Sequence, residues 1–249
     1  MASDPIIRTD GRAADQLRPV RIARRHTAFA PGSVLMAMGR TQVLCTAYLE
    51  AGVPPWREAS GLGWLTAEYD MLPSSTPTRR PRSRMKVDGR AQEIQRLIGR
   101  SLRAVVDFEK LGANTLTVDC DVIQADGGTR TAAITGSYVA VCDAVADALA
   151  AGRLAQSPII DGVAAVSVGL VGGEVFLDLD YREDVGAAVD MNVAMTGSGR
   201  FVEIQATGES ATFSRVEHEA MLAMATAGVA RLLSAQRQAL TAESGRYDG

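Results

Sequence analysis

The clearest periodicity in the chain lies just before its midpoint, where Leu116, Val118, Cys120 and Val122 alternate with Thr115, Thr117, Asp119 and Asp121. A period of two predicts a half-buried strand. Residues 19–29, 33–38 and 41–50 read as three consecutive strands. In the last of them Val43, Cys45 and Ala47 alternate with Gln42, Leu44 and Thr46, and Pro31-Gly32 and Gly39-Arg40 supply the turns. Residues 52–89 form a long segment rich in Pro, Ser, Thr and Arg to which the pattern assigns no element. Next, Ile94, Leu97, Ile98, Leu102, Val105 and Val106 recur at helical spacing and predict one apolar stripe, with the helix stopping near Leu111-Gly112. Arg96, Arg100 and Arg103 share another face of it. A second helix is predicted over 134–151, ended by Gly152. Strands at 163–170, 174–180, 190–196 and 201–206 follow, and a last helix runs from Ser214 to about Gln238, with Glu217 as the capping-box partner. Three long helices among eight or nine strands predict an α/β (α+β) fold, with mixed β-sheet covered by helices. No low-complexity linker divides the chain, so 1–243 is expected to form a single domain, with 244–249 as a loose tail.

A hydrophobic content of 47% over 249 residues supplies a sizeable core and excludes a disordered chain. The net charge of −3 says little until it is located. Residues 79–103 hold nine bases against two acids, so the rest of the chain is net −10. A basic patch on an otherwise acidic protein points to a polyanionic partner. Cys45, Cys120 and Cys142 show no CxxC spacing, which speaks for buried reduced thiols and against a zinc site or a disulfide scaffold. The polar N-terminus shows no secretory signal, and no run approaches the roughly 20 apolar residues that span a bilayer. A cytoplasmic protein without a membrane partner is expected.

Two stretches carry candidate chemistry. Asp126-Gly127-Gly128-Thr129-Arg130 follows the alternating strand and opens onto the Ala-rich helix. Two glycines permit a tight turn that exposes successive N–H groups, and a helix N-terminus favours an anion. Thr129 adds a hydroxyl and Arg130 a planar fork that suits phosphate. A plain strand-to-helix turn has the same composition, and a Walker-type GxxxxGK[ST] is absent. Further on, Asp178, Asp180, Glu183, Asp184 and Asp190 fall within thirteen residues. Oxygen-only ligands without histidine suit Mg²⁺ or Mn²⁺, although a solvated acidic turn reads the same way. An anion site and a hard-cation site in one chain are the two halves of phosphoryl-transfer chemistry. His26 and His218 have no Ser or Cys in a recognisable catalytic setting, which argues against a nucleophilic hydrolase.

Over nearly its whole length the sequence resembles the bacterial ribonuclease PH family of phosphate-dependent 3′→5′ exoribonucleases. The resemblance rests on Gly61-Leu62-Gly63-Trp64-Leu65-Thr66-Ala67-Glu68-Tyr69, the run from Glu93 to Ala104, the run from Asp119 to Thr131, and Val189-Asp190-Met191-Asn192-Val193. It implies a ribonuclease PH-type fold, similar to the second domain of a small-subunit ribosomal protein. It also implies phosphate held by Arg90, Gly128, Thr129 and Arg130, and catalytic, metal-holding aspartates at Asp184 and Asp190. Arginines of the segment Arg79, Arg80, Arg82 and Arg84 match positions that grip the tRNA acceptor end. Further implications are inorganic phosphate as co-substrate, Mg²⁺ or Mn²⁺ as cofactor, tRNA precursors and other RNAs as substrates, and a homohexamer built as a trimer of dimers. Two positions depart from the family pattern: Arg82-Ser83-Arg84-Met85 lacks a usual glutamate, and Ser210 stands where a second glycine is usual. The alternatives on the same fold are a non-catalytic RNA-binding ring subunit and a metal-dependent hydrolytic ribonuclease.

Overall fold

A computed structural model describes residue 8 and residues 10–82 and 89–242. The first strands are β1 (Val20–Arg24), β2 (Gly32–Met38) and β3 (Thr41–Ala51), joined as antiparallel neighbours. β5 (Asn114–Gln124) adds antiparallel to β3, and β4 (Trp64–Met71) closes the five-stranded sheet parallel to β5. The second sheet, in the order β7-β6-β8-β9, is antiparallel and consists of β6 (Val163–Val171), β7 (Glu174–Leu177), β8 (Val189–Thr196) and β9 (Phe201–Gly208).

Between the sheets lies α4 (Thr129–Ala150), which packs on β2 and β3 on one side and on β6 on the other. It is long and apolar enough to cross a membrane, but Ala, Val and Ile all round suit a helix covered on both faces, and most of it is buried here. Gly136 brings it close to the first sheet, because a Cβ there would lie 2.7 Å from Met36 Cβ and 2.9 Å from Cys45 Sγ. α6 (Arg215–Thr241) covers the second sheet and starts with the expected Ser214/Glu217 capping box. α2 (Gly89–Arg103) packs on β4 and reaches α4 and β9.

Four features differ from the sequence pattern. Residues 52–89 contain α1 (Pro55–Glu58) and the strand β4, whose Leu65, Ala67 and Tyr69 turn inward while Thr66, Glu68 and Asp70 turn outward. The flanking Pro- and Ser-rich sequence masks that alternation. α2 ends at Arg103 rather than near Gly112, and Asp107 then caps the single turn α3 (Phe108–Leu111) through its own carboxylate. Val106 instead pairs with Ile159 in an isolated bridge. α4 begins at Thr129, five residues before the apolar pattern, because Thr129 and Arg130 form its polar first turn. Finally, the acidic stretch folds into the helix α5 (Tyr181–Gly186) with an Asp180/Glu183 capping box.

Candidate active site

The glycine loop is where the two sheets meet. Gly127 and Gly128 take φ values of 77° and 64°, a region that side chains disfavour. Space is equally restrictive: a Cβ on Gly127 would lie 2.6 Å from the Leu179 carbonyl oxygen and 2.7 Å from the Asp180 carbonyl carbon. The loop is thereby pressed against the entry to α5. Gly128 is the N-cap of α4 and offers no side-chain oxygen to its first-turn N–H groups. Those donors and the positive end of the helix suit an anion. Thr129 follows at once, its hydroxyl 2.8 Å from the hydroxyl of Tyr69 on β4. Burial raises the Tyr69 pKa, while the Thr129 hydrogen bond and the charges of Arg90 and Arg130 act against that rise. Tyr69, Thr129, Arg90 and Arg130 therefore share one neighbourhood.

Arg130 is largely covered, and its Nη1 donates to Gln205 of β9 at 2.9 Å and to Glu93 of α2 at 3.3 Å. Gln205 in turn donates to Glu93 at 3.0 Å. These bonds to described residues all use Nη1, so Nη2 and Nε stay available to an oxyanion. Arg90 stands in the first turn of α2.

Asp184 on α5 and Asp190 on β8 bring the carboxylates to the same place. The Asp184 pKa is raised by burial first, and the charges of Arg90, Arg130 and Arg18 oppose the rise. Asp190 is pushed up to about 6, by burial first and then by the Asp184 charge, against Arg130 and a 3.0 Å hydrogen bond from Asn192 Nδ2. Two carboxylates and two arginines from four elements, α2, α4, α5 and β8, thus lie close enough for their charges to act on one another. Asp190 Oδ1 is buried and has no hydrogen-bond partner. An orphaned carboxylate oxygen beside a second raised carboxyl fits a hard divalent cation. No group of three or more His, Cys, Asp or Glu forms a metal cluster among the described residues. The remaining ligands of such a cation would therefore be water and substrate oxygen.

The other three acids of the stretch do different work, which corrects the reading of them as one cluster. Glu183 accepts from Arg8 Nε and Nη2 at 2.7 and 2.6 Å, with both side chains buried. Asp178 is fully buried against Arg18. Asp180 caps α5 through the N–H groups of Arg182 and Glu183. Glu183 and Asp178 are neutralised by arginines of the N-terminal segment, not by a metal.

Of the basic segment, Arg79 and Arg82 are exposed and Arg80 is half-buried with Nη1 2.7 Å from Met71 Sδ. Arg84 lies outside the described residues, as does the tail 244–249. On α2, Arg100 pairs with Glu203 of β9 at 3.0 Å, and Arg103 donates to the Leu65 carbonyl and sits 4.5 Å over the Trp64 ring. His218 stacks on Phe213. Sequence reasoning missed Tyr69, whose strand was hidden, and Arg18, whose partners lie 108 and 160 residues away.

Models of the 3′ exoribonuclease family match twice, domain 1 over residues 16–147 and domain 2 over residues 161–228. The chain is 55% identical over 244 residues to Ribonuclease PH of Synechococcus sp. (strain CC9605), covering 98% of this chain and 99% of that protein. It is 56% identical over 234 residues to Ribonuclease PH of Synechococcus elongatus, covering 94% and 98%. Among solved structures, rice Rrp46 superposes with a TM-score of 0.77 at 20% identity, over 94% of this chain and 100% of that one. A chain of the Archaeoglobus fulgidus exosome with RNA bound to the active site superposes with a TM-score of 0.80 at 22% identity, over 92% of each. These two likenesses are of fold.

Proposed function

We propose, for a chain that belongs to the 3′ exoribonuclease family and is a phosphorolytic exoribonuclease, that it trims the 3′ ends of tRNA precursors and other RNAs at the site made by Arg90, the head of α4, Asp184 and Asp190. RNA is its substrate and inorganic phosphate its co-substrate. The observation that carries the assignment of the site is electrostatic. The charges of Arg90 and Arg130 oppose the raised pKa of Asp184, and that of Arg130 opposes the raised pKa of Asp190, which supports reading the arginines and the carboxylate pair as one site.

Orthophosphate is held by the guanidinium groups of Arg90 and Arg130, the first N–H groups of α4 from Gly128 onward, and the Thr129 hydroxyl, which Tyr69 orients. Fixing the anion there turns a bimolecular attack into an oriented one. One phosphate oxygen forms a bond to the phosphorus of the terminal phosphodiester, and the bond to the 3′-oxygen of the preceding nucleotide breaks. A nucleoside 5′-diphosphate departs, leaving an RNA one nucleotide shorter. Arg130 offsets charge on the equatorial oxygens. The leaving 3′-oxygen takes up the proton that hydrogen phosphate gives up as it becomes part of the diphosphate, so the step balances without a further acid. A Mg²⁺ or Mn²⁺ ion on Asp184 and Asp190 would supply positive charge at the leaving 3′-oxygen. Because one phosphoester-type bond replaces another, the reaction is readily reversible.

Arg79, Arg80, Arg82 and Arg84 supply sequence-independent attraction for the RNA backbone. Residues 1–243 act as one catalytic unit in the cytoplasm, a reading supported by α4 serving both sheets. The assembled form is a homohexamer, a trimer of dimers, which light scattering in solution would test. An assay with 3′-extended tRNA, Mg²⁺, and phosphate present or withheld tests the function itself. Shortening should require phosphate and release nucleoside 5′-diphosphates. Shortening indifferent to phosphate would point to hydrolysis, and none under any condition to a non-catalytic ring subunit.

A further inference from the structure

We propose that Arg18 is a positioning residue for phosphorolysis, the brace that fixes the phosphate loop relative to the segment carrying Asp184. The inference rests on the site assignment above and deepens it. Arg18 lies between β1 and the preceding chain, with its side chain only 3% exposed. Its guanidinium spans two segments remote in sequence. Toward the loop, Nη1 donates to the Asp126 carbonyl at 2.5 Å and Nη2 to the Gly127 carbonyl at 3.4 Å. Toward the entry to α5, Nη2 and Nε grip Asp178 at 2.6 and 3.1 Å, and the Arg18 backbone N–H adds a third bond to that carboxylate at 2.8 Å.

Other contacts hold each end of the brace separately: at the far end the Asp178 N–H donates to the Ser167 carbonyl at 2.7 Å, and the Asp178 carbonyl accepts from Arg8 and Arg12 at 3.0 and 3.1 Å. Gly127 and Gly128 have no side chains to anchor the loop, and they take their positive φ without strain, so side chains from elsewhere have to hold it. Asp178 is itself at φ 55°, uncommon for a residue with a side chain, and its carboxylate is committed to Arg18. Thr41 Oγ1 supports the loop from the sheet side, donating to the Gly127 carbonyl at 2.6 Å and accepting from the Asp126 N–H at 2.9 Å. That hydroxyl does not reach α5. Among the described residues, Arg18 is the side chain that bonds to both the 126–127 carbonyls and the 178 carboxylate. Its charge also acts on Asp184. A misplacement of about 1 Å between reacting groups costs on the order of 100-fold in rate, so a brace of this kind is felt at the chemistry.

The test varies orthophosphate in the tRNA-shortening assay for Arg18→Ala and for the pair Arg18→Ala/Asp178→Asn. The second variant removes the carboxylate that the first would leave buried and uncompensated, so it keeps the question open if the first fails to fold. Each folded variant should show KM for orthophosphate raised about tenfold or more and kcat lowered, with KM for RNA within about twofold of wild type. Guanidinium chloride at non-denaturing concentration should restore part of the loss, while sodium chloride at equal ionic strength should not. Wild-type phosphate kinetics in a folded variant, a defect in thermal stability alone, or a loss that guanidinium does not relieve would overturn the role of Arg18. Arg130→Ala runs alongside. If it raises the phosphate KM and the Arg18 variants do not, only the brace is wrong. If it too leaves that KM unchanged, the phosphate site itself is misplaced.

Discussion

Glu183 and Asp184 occupy successive positions of α5, yet Glu183 takes two short hydrogen bonds from Arg8 while Asp184 is held above its ordinary pKa by burial. Asp178 and Asp190 repeat the contrast: the first is gripped by Arg18, and the second keeps a buried oxygen with no partner and a pKa near 6. One short stretch of chain thus holds two kinds of buried carboxylate. On one side of α5 the charges are consumed by the fold, and on the other they are left for a ligand. Perturbed, under-satisfied groups are what a site that binds a cation and an anion together requires.

Replacing a carboxylate on the open side should damage chemistry and spare the fold. Asp184→Asn should lower phosphorolysis by at least about 100-fold, as expected when several kcal/mol of transition-state stabilisation are removed, with the thermal transition no lower than wild type. Full activity in that variant would remove the metal assignment. The closed side should behave in the reverse manner. Glu183→Gln leaves Arg8 buried without its counter-charge, so unfolding free energy should fall by about 3 kcal/mol or more. Chemical denaturation measures that loss, and the folded fraction should keep its kcat.

The phosphate cradle comes next in size. Arg130→Ala should raise the phosphate requirement about tenfold and cut turnover while leaving RNA binding near wild type, read by steady-state kinetics and filter binding. Loss of RNA binding alone would contradict the role.

Asp190 gives the comparison a pH signature. Its folded pKa of about 6 lies above the ordinary value of 3.8, so the folded state holds the proton longer and loses stability as pH climbs between those values. In metal-free buffer at pH 7.5, Asp190→Asn should therefore be the more stable protein by on the order of 2 kcal/mol, a gain that vanishes below about pH 4. Thermal melts across that range decide it, and a variant less stable at neutral pH would show that the carboxylate is well paired after all.

The smallest effects belong to the basic segment 79–82. Single alanine substitutions at Arg79, Arg80 or Arg82 should each weaken RNA binding modestly and reduce its log–log salt slope by about one, without changing the phosphate KM.

Much of this organisation was legible in the residues alone. Alternation gave β3 and β5 nearly to the residue and the capping box gave the start of α6, whereas α4 starts five residues before the apolar pattern that predicted it. The acidic stretch was visible too, but its division into paired and unpaired members was not. That division depends on Arg8, Arg12 and Arg18, which are close in space and some 160–175 residues away along the chain. Local pattern carries no information about such pairs. β4 escaped for a different reason. Its alternation is carried by residues as mild as Ala67 and Thr66 inside a Pro- and Ser-rich frame, and its place is set by parallel pairing with β5 rather than by its own sequence.

The most direct test of the division between the two sides of α5 is the crystallographic position of orthophosphate in the protein with Mg²⁺ present. We expect the anion within hydrogen-bond distance of Arg90, Arg130 and the first amides of α4, in the same cavity as Asp184 and Asp190, with the Arg8–Glu183 and Arg18–Asp178 pairs intact. Phosphate bound instead at Arg79, Arg80 or Arg82, or a cavity that separates Arg130 from both aspartates, would contradict it.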